Sequence, residues 1–142
     1  MLKKVYGSAI HGVDAITVTV EVNVENGIGY HLVGLPDNAI KESNYRIAAA
    51  LQNNHYRIPG KKIIINMSPA ALRKEGSAYD LTLALGILSA SGQIKSESIE
   101  DYLIMGELSL DGSVLPIKGA LPIAIKAKQE GYKGFILPIQ NA

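Results

Sequence analysis

The segment from Ala15 to Glu25 alternates between apolar and polar residues, and this alternation constrains the fold more than any other feature of the chain. The apolar residues all fall on one parity: Ile16, Val18, Val20, Val22 and Val24. A period of two places them on one face of an extended strand, whereas a helix would distribute them around its axis. We therefore predict a strand with one face buried and the other face polar.

Two further strands are predicted beside this one. The segment from Lys3 to His11 precedes it across the turn Gly12-Val13-Asp14, and Ile28 to Val33 follows it across Asn26-Gly27. Asn-Gly is the dipeptide that two-residue hairpin turns favour. The chain is therefore expected to open as a meander of three antiparallel strands.

The apolar period changes after this meander, and strands then alternate with helices. Helical spacing predicts a helix from Pro36 to about Asn53, in which Glu42 and Arg46 form an i,i+4 ion pair. The later elements are a strand over Lys61–Met67, a buried helix over Ala78–Ala90, strands on either side of Asp111-Gly112, a helix over Ala120–Glu130 and a strand over Phe135–Pro138. The pattern indicates an α+β fold, a β-meander followed by βαβ units, in one domain of residues 1–142.

Composition excludes several classes of protein. The 14 Lys and Arg residues nearly balance the 13 Asp and Glu residues, which leaves a net charge of +1 and no strongly basic coat for nucleic acid. Cysteine is absent, which excludes disulfides and thiolate metal sites, and the three histidines lack metal-ligand spacing. The sequence has no membrane-spanning run and no signal-peptide core, so we expect a cytoplasmic protein without a membrane partner.

No familiar catalytic or nucleotide-binding motif is present. Gly60-Lys61 resembles the Gly-Lys pair of a P-loop, but no glycine lies five positions before Gly60, no Ser or Thr follows Lys61, and the pair leads into a strand. No cofactor is therefore expected in this chain. The loop from Arg73 to Asp80 is charged and precedes the most buried helix. It fits an anion site or a degenerate catalytic turn, but the favoured interpretation is helix capping, with Ser77 as N-cap and Asp80 completing a capping box.

Three long stretches carry a resemblance to a known family. They are Val33-Gly34-Leu35-Pro36-Asp37-Asn38-Ala39-Ile40-Lys41-Glu42-Ser43, the segment from Asn66-Met67-Ser68-Pro69 through Lys74-Glu75-Gly76-Ser77 to Leu81, and Gly106-Glu107-Leu108-Ser109-Leu110-Asp111-Gly112-Ser113. Together they resemble the N-terminal domain of the magnesium-chelatase-like AAA+ ATPases of the ComM group. The resemblance implies an ATPase module, outside these 142 residues, that uses ATP and Mg²⁺.

This N-terminal domain is in turn similar to the proteolytic domain of Lon proteases, a fold shared with a domain of a small-subunit ribosomal protein. Lys74-Glu75-Gly76 aligns with a Lys-Asp-Gly turn of Lon, which places Ala78 at the nucleophilic serine. Leu115-Pro116-Ile117-Lys118-Gly119 aligns with a second Lon stretch, which places Leu121 at the catalytic lysine. A Ser–Lys dyad needs a hydroxyl and a neutral amine. The resemblance therefore implies a pseudo-protease, and we expect no catalytic residues.

Neighbouring residues do not offer an obvious substitute for this dyad. Ser77 is one position away from the aligned nucleophile, so its side chain is turned by about 100°. Lys74 lies three residues from Ser77 on a loop that we expect to be exposed, where its amine would stay charged.

The family resemblance implies a homo-oligomeric ring with a role in DNA processing and branch migration. Possible contacts to DNA or a partner are Arg73, Lys74, Glu75, Ser77 and Asp80 on the loop, and Arg57, Lys61 and Lys62 at the opposite end of a short strand. Three hypotheses remain open: a module for oligomer assembly, an accessory domain that engages DNA, and an ATP-dependent Lon-like protease domain with an unorthodox site. The first two are favoured because both dyad positions are degenerate.

Overall fold

The computed structural model describes residues 1–95 and 97–142, which form eight strands and four α-helices. The strands are β1 (Leu2–His11), β2 (Asp14–Glu25), β3 (Gly29–Val33), β4 (Lys62–Ser68), β5 (Tyr102–Ile104), β6 (Glu107–Leu108), β7 (Val114–Leu115) and β8 (Gly134–Ile136). The helices are α1 (Asn38–Lys41), α2 (Ser43–Asn53), α3 (Asp80–Ala90) and α4 (Ala120–Gln129). Two short 3₁₀ helices cover Ile99–Asp101 and Ile139–Asn141.

Six strands form one mixed sheet in the order β3-β4-β2-β1-β5-β8. β1 and β2 are an antiparallel hairpin, and β4 is antiparallel to β2, whereas the pairs β3–β4, β1–β5 and β5–β8 are parallel. The remaining strands, β6 and β7, form a separate antiparallel hairpin around Asp111-Gly112. The architecture is therefore mixed α/β: the expected combination of helices and strands is confirmed, and the sheet contains parallel as well as antiparallel pairs.

The period-two pattern of β2 determines the buried face of the sheet. Val18, Val20 and Val22 are fully buried, and they pair with buried residues of β1 and β4. α3 packs on this face so closely that a Cβ on Gly86 would lie 2.7 Å from Val22 Cγ2. The helix that was expected to be buried on most sides thus crosses the centre of the sheet.

The opposite face of the sheet is only partly covered, and α4 supplies that cover. Thr17 on β2 donates a hydrogen bond to Glu130 just after α4, and the rings of Tyr6 and Tyr132 lie 5.6 Å apart. Both Tyr6 and Thr17 have the parity opposite to the buried valines, so α4 and α3 lie on opposite sides of the sheet. The core therefore has three layers around the β1–β2 hairpin.

The predicted meander is wrong in its third strand. β3 does not return beside β2; it pairs in parallel with β4, which lies between them. β4 pairs with β2 over seven residues and buries Ile63, Ile65 and Met67. β3 has only five residues and could not form so long a pairing with β2. The connection between β2 and β3 covers residues 26–28 and is therefore one residue longer than a two-residue turn.

The long first helix is also divided. α1 and α2 are separated at Glu42, and Asp37 caps α1 by accepting a hydrogen bond of 2.9 Å from the Ile40 N–H. The predicted ion pair between Glu42 and Arg46 is replaced by a pair between Arg46 and Asp80. Of the described residues, none belongs to a helix that is both long enough and apolar enough to cross a bilayer.

Burial of Tyr30 on β3 makes the stability of the domain sensitive to alkaline pH. Burial, with a further contribution from the charge of Asp80, raises the pKa of Tyr30 to about 12. In the unfolded chain Tyr30 ionises near its usual pKa of about 10, whereas in the folded protein it stays neutral up to about pH 12. The free energy of unfolding therefore falls as pH rises above about 10.

We predict that the Tyr30→Phe variant loses less stability than the wild-type chain between about pH 9 and about pH 11, by about 1 kcal/mol. Urea unfolding of both proteins across this range measures the difference. Parallel pH profiles for the two proteins would contradict the assignment.

Candidate functional site

The loop that precedes α3 is attached to the segment that follows β3. The Lys74 N–H donates to the Leu35 carbonyl at 3.0 Å, and the Asp37 N–H donates to the Lys74 carbonyl at 3.0 Å. An isolated parallel bridge between Pro36 and Lys74 results. Two of the three stretches that carry the family resemblance therefore form one structural unit.

The ammonium group of Lys74 completes this attachment, and the expectation that Lys74 is exposed is wrong. The residue has 0% exposure, and its Nζ donates to the carbonyl oxygens of Gly34, at 2.6 Å, and of Pro69. Burial lowers the pKa of the Lys74 ammonium. The burial of Lys74 could not be predicted from the sequence pattern, because a lysine in a charged, Gly-containing loop is usually exposed. Its acceptors are main-chain carbonyl oxygens, which residue identities do not reveal.

Gly34 permits the close approach of this segment to β4. Its φ is +104°, and a Cβ at this position would lie 2.0 Å from the Met67 carbonyl oxygen. Any side chain would push the two strands apart, so the segment that presents the Gly34 carbonyl to Lys74 depends on glycine.

Asp37 holds the far side of the same loop. One carboxylate oxygen accepts from the Ile40 N–H at 2.9 Å, and the other accepts from the Gly76 N–H at 2.8 Å. Asp37 therefore caps α1 and also has a second role, which sequence alone did not indicate. It fixes the residue directly before Ser77.

Asp80 belongs to a buried ion pair and not to a capping box. Arg46 Nε donates to Asp80 Oδ2 at 2.7 Å and Arg46 Nη2 donates to Asp80 Oδ1 at 2.8 Å. The Leu108 N–H donates to the same carboxylate at 3.1 Å. Burial raises the pKa of the Asp80 carboxyl, and the hydrogen bonds from Arg46 and Leu108 oppose this rise. The pair joins α2, α3 and β6.

Ser77 also departs from the capping interpretation. Tyr79, not Ser77, precedes the first residue of α3, and it makes no side-chain cap. The hydroxyl of Ser77 instead donates to Glu107 Oε1 on β6. Glu107 was not among the predicted site residues. It does belong to the third stretch that carries the family resemblance, just before the turn at Asp111-Gly112, and this position could have indicated it.

Ser77, Ala78 and Glu107 line a cleft of about 870 Å³. Its other walls come from the end of β1, the loop before α3 and the segment that leads into α4. Leu121 does not line this cleft; it is 71% exposed and lines a neighbouring groove of about 620 Å³. The two positions aligned with a Ser–Lys dyad thus carry a methyl group in the cleft and an isobutyl group beside it.

The predicted basic residues are not brought together. Arg73 is exposed and pairs with Glu75, its Nε lying 3.1 Å from Glu75 Oε1, while Lys74 is buried. The loop therefore offers no free basic patch. At the other end of β4, Arg57 and Lys61 are exposed, and Lys62 Nζ lies 3.9 Å from Glu25 Oε1.

No group of acidic, histidine or cysteine side chains suited to a metal ion occurs among the residues the structure describes. The cleft also contains the hydrogen-bonded pair of Ser77 and Glu107. Such a pair can bind a ligand that donates hydrogen bonds, but among the described residues no imidazole or amine is hydrogen-bonded to it, as the base of a triad would be.

The sequence matches the family model described as subunit ChlI of Mg-chelatase over residues 20–141. An uncharacterised protein of Mycobacterium tuberculosis is 40% identical over 141 residues, which cover 99% of this chain and 28% of the relative. The competence protein ComM of Haemophilus influenzae is 41% identical over 139 residues, 97% of this chain and 27% of that protein. The chain thus spans about a quarter of the length of these relatives.

A more distant similarity joins the chain to Lon protease of Mycoplasma mycoides. The two are 30% identical over 130 residues, which cover 86% of this chain and 16% of the protease.

Removal of the Lys74 ammonium tests the unit formed by the loop and the segment after β3. We predict that Lys74→Met lowers the free energy of unfolding by about 1 to 3 kcal/mol, because the carbonyl oxygens of Gly34 and Pro69 lose the hydrogen bonds donated by the buried ammonium. The matched control is Arg73→Met, whose exposed side chain makes only a surface pair and should cost about 0.5 kcal/mol or less. Equal effects of the two substitutions in urea unfolding would contradict the buried position of Lys74.

Proposed function

The chain belongs to the family of subunit ChlI of Mg-chelatase, and from this premise we propose that it is the non-catalytic N-terminal domain of a ComM-like AAA+ ATPase. In this proposal, residues 1–142 are one domain that supports assembly of the parent oligomer or its engagement with DNA. ATP and Mg²⁺ act in the remainder of the parent protein, in the cytoplasm.

The proposal includes a Lon proteolytic-domain-like fold, which is shared with a domain of a small-subunit ribosomal protein. The similarity to Lon protease over most of the chain supports this assignment. Ala78 and Leu121, at the positions that align with the Lon dyad, make the domain a pseudo-protease.

One observation carries the non-catalytic assignment: the hydroxyl in the cleft and the buried amine beside it serve other partners. The Ser77 hydroxyl donates a hydrogen bond to the Glu107 carboxylate, and the Lys74 ammonium donates to two carbonyl oxygens. Within the described residues, no hydrogen bond joins a lysine amine to a serine hydroxyl. A nucleophile needs a base that accepts its proton, and a carboxylate that holds a serine proton without an amine or imidazole is a weak substitute.

The role in DNA engagement depends on the start of β4. Arg57 and Lys61 are exposed, and Lys62 is only weakly paired with Glu25, so these three residues can approach phosphates. Lys74 and Asp80 are buried and cannot make such contacts without unfolding. The DNA surface in our proposal is therefore the group Arg57, Lys61 and Lys62, without the loop before α3.

We predict weak, salt-dependent binding of this chain to an oligonucleotide, measured by fluorescence anisotropy between about 50 mM and about 200 mM salt. Replacing Arg57 and Lys61 together by glutamine should lower the magnitude of the salt slope by about 0.9 for each phosphate that is no longer neutralised. The matched control replaces two exposed cations of another element, Lys128 on α4 and Lys133 after it.

Sedimentation of the same samples tests the assembly role, since a mass that rises with protein concentration indicates self-association. Binding of DNA that resists the double substitution would contradict the assigned surface. A chain that neither binds DNA nor self-associates would contradict both roles.

A further inference from the structure

Glu107 is a half-buried carboxylate in the cleft that forms no salt bridge among the described residues, although the Arg46 guanidinium, paired with Asp80, attracts it at longer range. Its single hydrogen bond is from the Ser77 hydroxyl, which engages Oε1 and leaves Oε2 open. Arg73 is paired with Glu75, and Lys118, the other lysine or arginine that lines the cleft, is exposed to solvent. A partly desolvated carboxylate interacts with a ligand more strongly than fully hydrated rim charges do. The cleft therefore favours a cationic ligand group.

The floor of the cleft is apolar. It includes the buried side chains of Ala9, Met105, Ile117 and Ile123, beside the ring of Tyr79. Burial, followed by the charges of Asp37 and Glu75, raises the pKa of the Tyr79 hydroxyl, so the ring remains neutral and extends the apolar floor. A ligand that fits here combines a positive group with apolar surface.

The neighbouring groove continues this surface. His11 lines both cavities, and beyond it the groove is bordered by Val13, Leu121 and Ile125, which are 88%, 71% and 50% exposed. These three apolar side chains lie on the β1–β2 turn and on α4. Such exposed apolar residues beside a charged cleft are typical of a surface that contacts another protein.

We propose that the cleft and the groove together bind an extended segment of a partner protein in which a lysine or arginine residue adjoins apolar residues. The cationic group lies against Glu107 and Ser77, and the apolar residues lie against Leu121 and Ile125. The occupant is assigned from charge complementarity: the carboxylate in the cleft repels the phosphates of nucleic acid and attracts a basic side chain. This inference rests on the proposed non-catalytic function, because the segment is held and not cleaved.

The test uses the 142-residue chain and three blocked peptides that differ at one position. Their sequence is acetyl-Gly-Ser-X-Leu-Val-Gly-Ser-amide, where X is arginine, glutamine or glutamate. Amide chemical shifts of the ¹⁵N-labelled chain report the affinity and the location of each peptide. We expect the arginine peptide to bind about fivefold or more tightly than the glutamine peptide, the glutamate peptide to bind most weakly, and the shifts to centre on Ser77 and Glu107.

Two variants and one control separate charge from apolar contact. Glu107→Gln should bring the arginine and glutamine peptides to within about twofold of each other, because the amide still accepts from Ser77 but carries no charge. Leu121→Ser should weaken both peptides alike. Glu97→Gln removes an exposed carboxylate elsewhere and should leave the preference for arginine intact.

Three results would overturn the inference: no binding of any peptide, equal binding of the arginine and glutamate peptides, or a preference for arginine that persists in Glu107→Gln. The peptide masses after incubation distinguish this failure from failure of the proposed function. A cleaved peptide would contradict the non-catalytic assignment, whereas an intact peptide that does not bind would contradict only the binding segment proposed here.

Discussion

The ammonium of Lys74, buried between the carbonyl oxygens of Gly34 and Pro69, is the interaction on which the site depends. An amine in such a position must donate to acceptors close by, since an unpaired buried charge is costly. Those acceptors come from two loops that are far apart in sequence. Their attachment fixes the direction in which the chain enters α3, and with it the positions of Ser77 and Ala78 at the cleft.

A second buried charge pair continues this arrangement into the helices. The Asp80 carboxylate accepts two hydrogen bonds from Arg46 and one from the Leu108 N–H, so α2 and the β6–β7 hairpin are held at the start of α3. Removing one partner of such a pair costs more than the pair contributes, because the other charge is left buried. Lys74, Arg46 and Asp80 thus hold together the segments from which the cleft is built.

The sequence predicted the elements well where a single periodicity governed them. The valine alternation identified β2 and its buried face, and the apolar helix was correctly expected to be covered on most sides. The pairing partner of β3 could not be predicted, because it depends on which strand buries more surface against β2, and that is a property of the assembled sheet. The length of the first helix was overestimated, since nothing in its periodicity marks the break at Glu42.

The candidate site was harder to predict than the fold because its side chains act through distant partners. Arg46 was assigned to a neighbour four residues away, but its partner is 34 residues away. Ser77 and Asp80 have the spacing of a capping box, yet each is drawn to the β6 segment, which local pattern analysis cannot see. The assignment of Ala78 and Leu121 to the positions of a dyad rests on the resemblance to Lon proteases and not on local pattern.

We have proposed that this cleft has no activated nucleophile, and hydrolysis of an unfolded protein such as casein by the wild-type chain and by Ser77→Ala tests this most directly. The account predicts that neither protein releases fragments above the rate of a protein-free blank. Cleavage by the wild-type chain that disappears in Ser77→Ala would contradict it, and would make the Ser77–Glu107 pair a catalytic arrangement.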